Sequence, residues 1–367
     1  MKQMTLDGKF FGLISEKPKE STLPILRRLE EALPLLEQGY TEKRIPKRGG
    51  GHRIIFVPSP ELKTLQKKTI LPLLQELQEE RWCDIFGLYK HNPSYFGHAW
   101  RHKESRFIFS LDLKDAFPSV TASNLRAILL KAIVEKTIIV LNSTIDKTKL
   151  RLTARRLVDL IVKLTTLEDK LPQGAPTSPF LFYIFLYSKI RDLHLELAQV
   201  FEKIHLYNWH MTCYVDNFVI STNRHIPDDV REQIQQVFEQ FDLKINYKKT
   251  KLQDCRHGAV MITGLAIDGK GKVFIPQKVR ERIRATIHNA CFMPDDPTLD
   301  GKIEGLMSYV RSIYGSAIPK RIQKTYKLYK EYSNLKKLVP PEPQYPSDIN
   351  FDGFLFFNPK VEDVRRP

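Results

Sequence analysis

Two carboxylates stand where a rigid backbone could aim them at a substrate. Asp112 ends the apolar run Phe107 to Leu113, and Asp216 lies in the tip Tyr214-Val215-Asp216-Asn217, flanked by apolar residues. Each position reads as the end of a β-strand. A pair of carboxylates supplies hard oxygen ligands that suit magnesium, with manganese as the alternative ion. Two such ions stabilise the attacking and leaving oxygens of phosphoryl transfer. Next to Asp216 the amide of Asn217 offers a neutral oxygen only. Taken singly, an Asp at a strand end is as readily a turn residue; the order of the surrounding signals decides between the two readings.

The elements that must position these groups follow from periodicity. Residues 21–39 and 61–80 carry apolar residues at helical spacing, and Lys43 to Pro58 reads as two strands joined by the basic, glycine-rich turn Lys47-Arg48-Gly49-Gly50-Gly51. After Asp112, Pro118 supports a turn into a helix starting near Thr121 or Ser123, and residues 125–165 are helical with a polar break around Asn142-Ser143-Thr144. The segment Leu171-Pro172-Gln173-Gly174-Ala175-Pro176-Thr177-Ser178-Pro179 is a loop before a buried helix extending to about Phe201. Met211 to Ser221 forms a hairpin with Asp216 at its tip. Residues 227–241 form a helix, and Val260 to Ile267 a strand.

Length and charge restrict the class. A chain of 367 residues buries a sizeable core in two or three subdomains. Lys and Arg exceed Asp and Glu by 58 to 42, a net charge of +16 that recurs along the chain, which favours a polyanionic partner over a membrane surface. The four cysteines, Cys83, Cys213, Cys255 and Cys291, lack paired metal-ligand spacing and read as reduced, structural thiols. The start lacks an apolar signal core and no apolar run approaches a membrane span, so a cytoplasmic protein is expected. Beyond Pro276 the chain is helical and basic, with Tyr309, Tyr314, Tyr326 and Tyr329 interleaved among the cations; 339–367 is rich in Pro and aromatics.

The motifs SLDLKDAFPS at 110–119, LPQGAPTSP at 171–179 and YVDN at 214–217, with the Lys47-to-Pro58 hairpin and Ile262-Thr263-Gly264-Leu265 in support, resemble those of reverse transcriptases. His98-Ala99-Trp100-Arg101-His102 is similar to an Asn-Ala-x-x-His element of the bacterial retron and phage-defence group, with His98 departing from the usual Asn. The resemblance covers residues 20–335. It implies an α+β right-hand polymerase: fingers with N-terminal helices at 1–106, a palm with an antiparallel sheet at 107–265 (with a fingers insertion at about 120–170), a helical thumb at 266–338 and a C-terminal arm at 339–367.

The resemblance also implies residue roles. Asp112, the Leu113 carbonyl, Asp216 and Asn217 would hold two magnesium ions. Lys47 and Arg53 would hold the triphosphate of a deoxynucleotide, and Asp115 would meet it through the backbone. Phe117 would exclude a 2′-hydroxyl, Gln173 and Gly174 would approach the incoming sugar, and Tyr214 would support the primer terminus or pack in the core. Lys249 would protonate departing pyrophosphate, with Lys248 and Lys251 as rival registers. Arg48 and His52 read as solvated. The implied partners are a structured noncoding RNA template, the DNA product and a separate effector or partner protein; the setting is antiphage defence. Asn217 leaves three readings open: an active enzyme with a natural amide, a substitution introduced to trap a complex, or a silenced RNA-binding scaffold. Template-independent or protein-primed synthesis is a further alternative.

Overall fold

The computed structural model describes residues 23–46, 50–77, 84–87, 95–141, 147–292 and 298–338. Lys47, Arg48, Cys83, the break at 142–146 and the 339–367 arm lie outside the described residues. The described chain divides into two compact units, one of residues 1–279 with 310–315 and one of 280–309 with 316–367.

The first unit opens with the helices α1 (Leu23–Glu31) and α2 (Leu35–Gln38), followed by the antiparallel hairpin β1 (Tyr40–Pro46) and β2 (His52–Pro58). Ser59 then caps α3 (Pro60–Leu65), which passes through a π-helical turn at Gln66–Ile70 into α4 (Leu71–Leu77). The expected helix over 61–80 therefore carries an irregular turn. Gln66, fully buried there, donates to the Tyr40 hydroxyl at 2.9 Å and the Leu164 carbonyl at 2.8 Å.

At the centre lies a five-stranded sheet in the order β3 (Ile85–Phe86), β5 (Trp209–Tyr214), β6 (Asn217–Thr222), β4 (Phe107–Asp112), β7 (Lys251–Asp254). The register pairs Phe109 with Ile220, Leu111 with Phe218, and Asp112 with Asn217. Because side chains alternate across a strand, Phe109, Leu111, Phe218, Ile220, Met211 and Cys213 share one face, and all are buried in the main core. The helices α6 (Ala122–Leu141), α8 (Ser178–Glu202) and α9 (Asp228–Gln240) contribute to that core, with α7 (Lys147–Thr165) packed on α6. Phe218 meets Phe238 of α9 edge to face at 4.9 Å, and Trp209 lies against His194 and Phe201 of α8 at 4.5 and 4.8 Å. The start of α6 agrees with the expected cap: the Thr121 hydroxyl accepts from the Asn124 backbone N–H.

The opposite face carries Asp112, Ser110, Thr212, Tyr214, Asn217 and Ser221. This face mixes those polar residues with buried Ile108 and Val219, and a histidine segment covers part of it. From the end of α5 (Tyr95–Trp100), buried His102 hydrogen-bonds Ser221 through Nδ1 at 2.7 Å and Thr212 through Nε2 at 2.6 Å, tying β5 to β6. His98, also buried, lies 3.3 Å from the Thr263 hydroxyl and within 5.9 Å of the Tyr214 ring. Burial pushes His98 down to about 3 and holds His102 well below the usual imidazole range, with neighbouring positive groups adding to the second shift. Both rings are neutral at neutral pH.

Val260 to Ile267 differs from the expected single strand. It is two short strands, β8 (Val260–Ile262) and β9 (Leu265–Ile267), turning at Thr263-Gly264, where both residues have positive φ, and β10 (Val273–Phe274) completes a three-stranded sheet. The Thr263-Gly264 pair interrupts the apolar run, and it is there that the left-handed backbone turns the chain.

The second unit takes most of the helices α10 (Gln277–Ala290) and α11 (Leu299–Tyr314), whose residues to 279 and from 310 belong to the first, and α12 (Lys320–Leu338); its buried residues include Ile283, Ile287, Ile303, Met307, Ile322 and Tyr329. Three of the four tyrosines interleaved among the cations are engaged internally. Within this unit Tyr326 donates to Glu304 at 2.6 Å and Tyr329 bonds Asp300; within the first, the Tyr314 hydroxyl accepts from the Ile275 N–H at 3.0 Å. Among the described residues of this unit, Phe292 and Tyr332 are exposed. Cys213, Cys255 and Cys291 are buried free thiols, and among the described residues no helix is long and apolar enough to cross a membrane.

His102→Ala leaves two buried hydroxyls without their partner and a cavity between the strands, and should cost about 2–4 kcal/mol in urea unfolding. In the parent, two imidazoles kept neutral by folding make stability fall as pH drops below 6.5, where the unfolded chain binds the protons; the variant should show a shallower fall. An unchanged slope would remove His102 from that linkage.

Candidate active site

The backbone of Asp112 is held from both sides. β6 pairs it with Asn217, and on the other edge the Asn246 N–H donates to the Asp112 carbonyl at 2.7 Å while Lys114 N–H donates to Lys244 at 2.8 Å. Leu113 forms a bridge with Ile245, yet its N–H points away from that partner and donates to the Asp216 carbonyl at 2.9 Å. The Leu113 carbonyl lies on that same edge, as the alternation of an antiparallel ladder requires. One main-chain bond thus links the strand carrying the first carboxylate to the turn carrying the second.

That turn has only Val215 and Asp216 between the paired residues Tyr214 and Asn217. Two-residue hairpins need a positive φ, usually from glycine or asparagine. Here Val215 supplies it at φ 57, a conformation that costs a β-branched residue of order 1–3 kcal/mol. Val215 N–H is retained by the Phe86 carbonyl at 3.3 Å, and below the turn a Cβ on Gly87 would come within 2.8 Å of the Tyr214 ring. Tyr214 therefore packs against Gly87 and His98, which agrees with the packing alternative for this residue.

Both carboxylates have hydrogen-bonded side-chain partners. Lys249 Nζ lies 2.9 Å and Asn246 Nδ2 3.3 Å from Asp112 Oδ2, and Asn217 Nδ2 lies 2.8 Å from Asp216 Oδ1. Burial raises the Asp216 carboxyl above its usual range, the Asp112 charge adding to the shift; its own backbone N–H, Lys249 and Arg53 oppose it. Asp112 and Asp216, with Arg53, Asp115, Phe117, Gln173 and Lys249, line one cleft of about 500 Å3. His52, read from sequence as solvated, lines it too, as do Lys114, Glu168 and Lys170, which the motifs did not single out. Lys170 lies just before the Pro-Gln-Gly loop, and its bridges with Leu167 and Thr121 give it no sequence signature.

The hairpin β1–β2 reaches this cleft because the Phe56 N–H donates to the Gln173 carbonyl at 2.7 Å. Gly174 has φ 120, and a Cβ there would stand 2.9 Å from the Phe56 carbonyl oxygen. Its close approach is therefore to the hairpin. Phe117 is half-buried, with its ring 5.2 Å from Phe182 of α8, which fixes it as one wall. Asp115 has φ 49, and its carbonyl accepts from the Ser119 N–H at 2.8 Å.

The donor set fits a divalent metal: two carboxylates, a nearby backbone carbonyl and a cleft with room for phosphate oxygens match magnesium, which keeps waters and is held by one or two carboxylates plus substrate phosphates. Among the described residues no group of three or more His, Cys, Asp or Glu converges as a complete metal cage.

Comparison with known proteins agrees with this geometry. The model of the reverse transcriptase (RNA-dependent DNA polymerase) family matches residues 45–267, and the chain belongs to that family. Among curated relatives, the retron Mx65 reverse transcriptase of Myxococcus xanthus is 26% identical over 279 residues, 75% of this chain and 61% of its own length. The retron Ec73 reverse transcriptase of Escherichia coli is 25% identical over 305 residues, 80% of this chain and 90% of its own. The match thus spans about three fifths of the first relative. A solved telomerase from Candida albicans with a fragment of telomeric RNA aligns over 81% of this chain and 60% of its own, at 13% identity and TM-score 0.42.

Ionising Asp216 works against folding when no metal is present, because its raised carboxyl favours the folded state only below the unfolded value of 3.8 and loses that advantage as pH rises through the folded value. Asp216→Asn should therefore melt higher than the parent in a chelator at pH 8, with the difference vanishing near pH 4. A lower melting temperature at pH 8 would refute this electrostatic assignment.

Proposed function

We propose that this protein is an RNA-directed DNA polymerase that works with two divalent ions, magnesium in the first instance. The observation that carries the reading is the Leu113–Asp216 main-chain bond, which sets Asp112 and Asp216 side by side in a cleft roofed by a basic hairpin. Asp112, Asp216 and the Leu113 carbonyl would hold the ions, with Asn217 at the third position. When bound, such ions lower the pKa of a primer 3′-hydroxyl and neutralise charge on the leaving pyrophosphate.

The chain's own groups do the rest. Arg53 meets triphosphate oxygens with two parallel donors, the role that the family resemblance gives to Lys47 as well. Lys249, whose ammonium lies 2.9 Å from Asp112 and offsets that carboxylate, is the cation at the cleft that would serve as the general acid protonating pyrophosphate. Phe117, backed by Phe182, presents a wall that leaves no room for a ribose 2′-hydroxyl. Gln173 lies across the cleft toward the sugar, while its carbonyl anchors the hairpin. The likeness to retron reverse transcriptases supports a structured noncoding RNA as template and antiphage defence as the setting.

The protein purified with its cellular RNA and given labelled deoxynucleotides and magnesium should synthesise DNA, and Asp112→Ala should not. Equal synthesis by both would reject the metal assignment, while DNA unrelated in sequence to the bound RNA would favour template-independent addition. Arg53→Lys keeps the charge and loses the fork, so its KM for deoxynucleotide should rise by roughly 10-fold, the loss of a charge-assisted hydrogen bond. Phe117→Ala should admit ribonucleotides at the expense of sugar discrimination; unchanged discrimination would exclude the gate.

A further inference from the structure

Asn217 sits at the position expected to complete the metal set, but its surroundings give it a different task. Its backbone is fixed twice, by pairing with Tyr214 across the hairpin and with Asp112 of β4, so its short side chain has a small reach. Directly opposed residues of an antiparallel pair project to the same face, which would allow the amide to turn toward Asp112. It turns instead to its neighbour, with Nδ2 2.8 Å from Asp216 Oδ1. The chemistry settles which end of the amide faces Asp216. The opposite orientation would bring a carbonyl oxygen to that distance from a carboxylate oxygen, a contact between two acceptors. The N–H to carboxylate bond is charge-assisted and about twice as strong as a neutral one.

Asp112 already has Lys249 and Asn246 as its donors, so Asn217 is the side-chain donor found at Asp216. To ligate a metal through Oδ1, the amide would have to break the bond that orients Asp216 and gain only a neutral oxygen. On the metal-holding role proposed above for Asp112 and Asp216, we infer that Asn217 is a positioning residue that fixes the Asp216 carboxylate by hydrogen bonding. The free protein then offers a single divalent-ion site made by the two aspartates, and a second ion enters only with the phosphate oxygens of a nucleotide. Such a site is charged by the arrival of substrate, which keeps the nucleotide-free enzyme from holding both ions.

The test counts manganese ions bound by the full-length protein without nucleotide, from the loss of the free-ion signal in electron paramagnetic resonance. The parent should bind one ion in the cleft and Asn217→Asp two. Asn217→Ala should still bind one, with affinity lowered roughly 10-fold, the usual cost of losing a partner that orients a metal ligand. Asn217→Ser keeps a donor and should recover part of that loss. Two ions in the parent falling to one in Asn217→Ala would make the amide a ligand and overturn the inference. So would unchanged affinity in Asn217→Ala, or a single ion in Asn217→Asp. Asp112→Asn separates the two levels of the reading: if it binds as many ions as the parent, the aspartate pair is not the metal site and the proposed function fails at its base.

Discussion

The clamp on the Asp112 backbone is the constraint on which the candidate site depends. A strand end frays unless its last N–H and C=O groups find partners, and here the Asn246 N–H takes the Asp112 carbonyl while the Asp216 carbonyl takes the Leu113 N–H. The clamp joins segments more than a hundred residues apart in sequence. It also explains why a valine tolerates the left-handed turn at position 215: the surrounding bonds determine the turn more strongly than its own preference does.

Behind this clamp, alternation along the strands sends the core residues and the site residues to opposite faces of the sheet. Phe109, Leu111, Phe218 and Ile220 face the helical core, and their sequence neighbours Ser110, Asp112, Asn217 and Ser221 face the other way. Slipping one strand by a single residue would move the carboxylate into the core, so hydrophobic burial itself enforces the register of the site. The histidine segment secures the polar face. His102 bonds a hydroxyl from each of two neighbouring strands, and His98 links the ring beneath the Val215-Asp216 turn to the β8–β9 turn. The cleft's other wall depends on backbone proximity: Gly174 has no Cβ, and this lets the Phe56–Gln173 bond draw the basic hairpin over the carboxylates.

Electrostatically, the site of the metal-free protein is balanced by its own donors. Lys249 stands at Asp112 and an amide stands at Asp216, so each carboxylate keeps a partner while the cleft stays open to phosphate. The residual imbalance falls on Asp216, where burial and the neighbouring charge oppose ionisation. Strain at Val215 and this opposed charge occupy adjacent residues, which is where a protein that awaits a cation would concentrate both.

Much of this was legible in the sequence because it is written in local patterns. The strand ending in Asp112, the hairpin around Asp216, the basic glycine-rich hairpin and the long helix after the Pro-Gln-Gly loop each follow from periodicity and turn chemistry. Other features could be settled only by tertiary structure, because they are relations between distant atoms. Lys248, Lys249 and Lys251 are indistinguishable in sequence, whereas a distance to Asp112 singles out Lys249. The tyrosines of the basic helices could have faced a nucleic acid, yet the acids Asp300 and Glu304 engage two of them. Val260 to Ile267 holds a Thr-Gly pair between two apolar triplets, and only the antiparallel pairing of β8 with β9 across it makes the stretch two strands. Asn217 shows the division most plainly. Its residue type fixed that it brings no charge, and only the fold, by placing a carboxylate oxygen 2.8 Å from its nitrogen, decided that it acts as a donor.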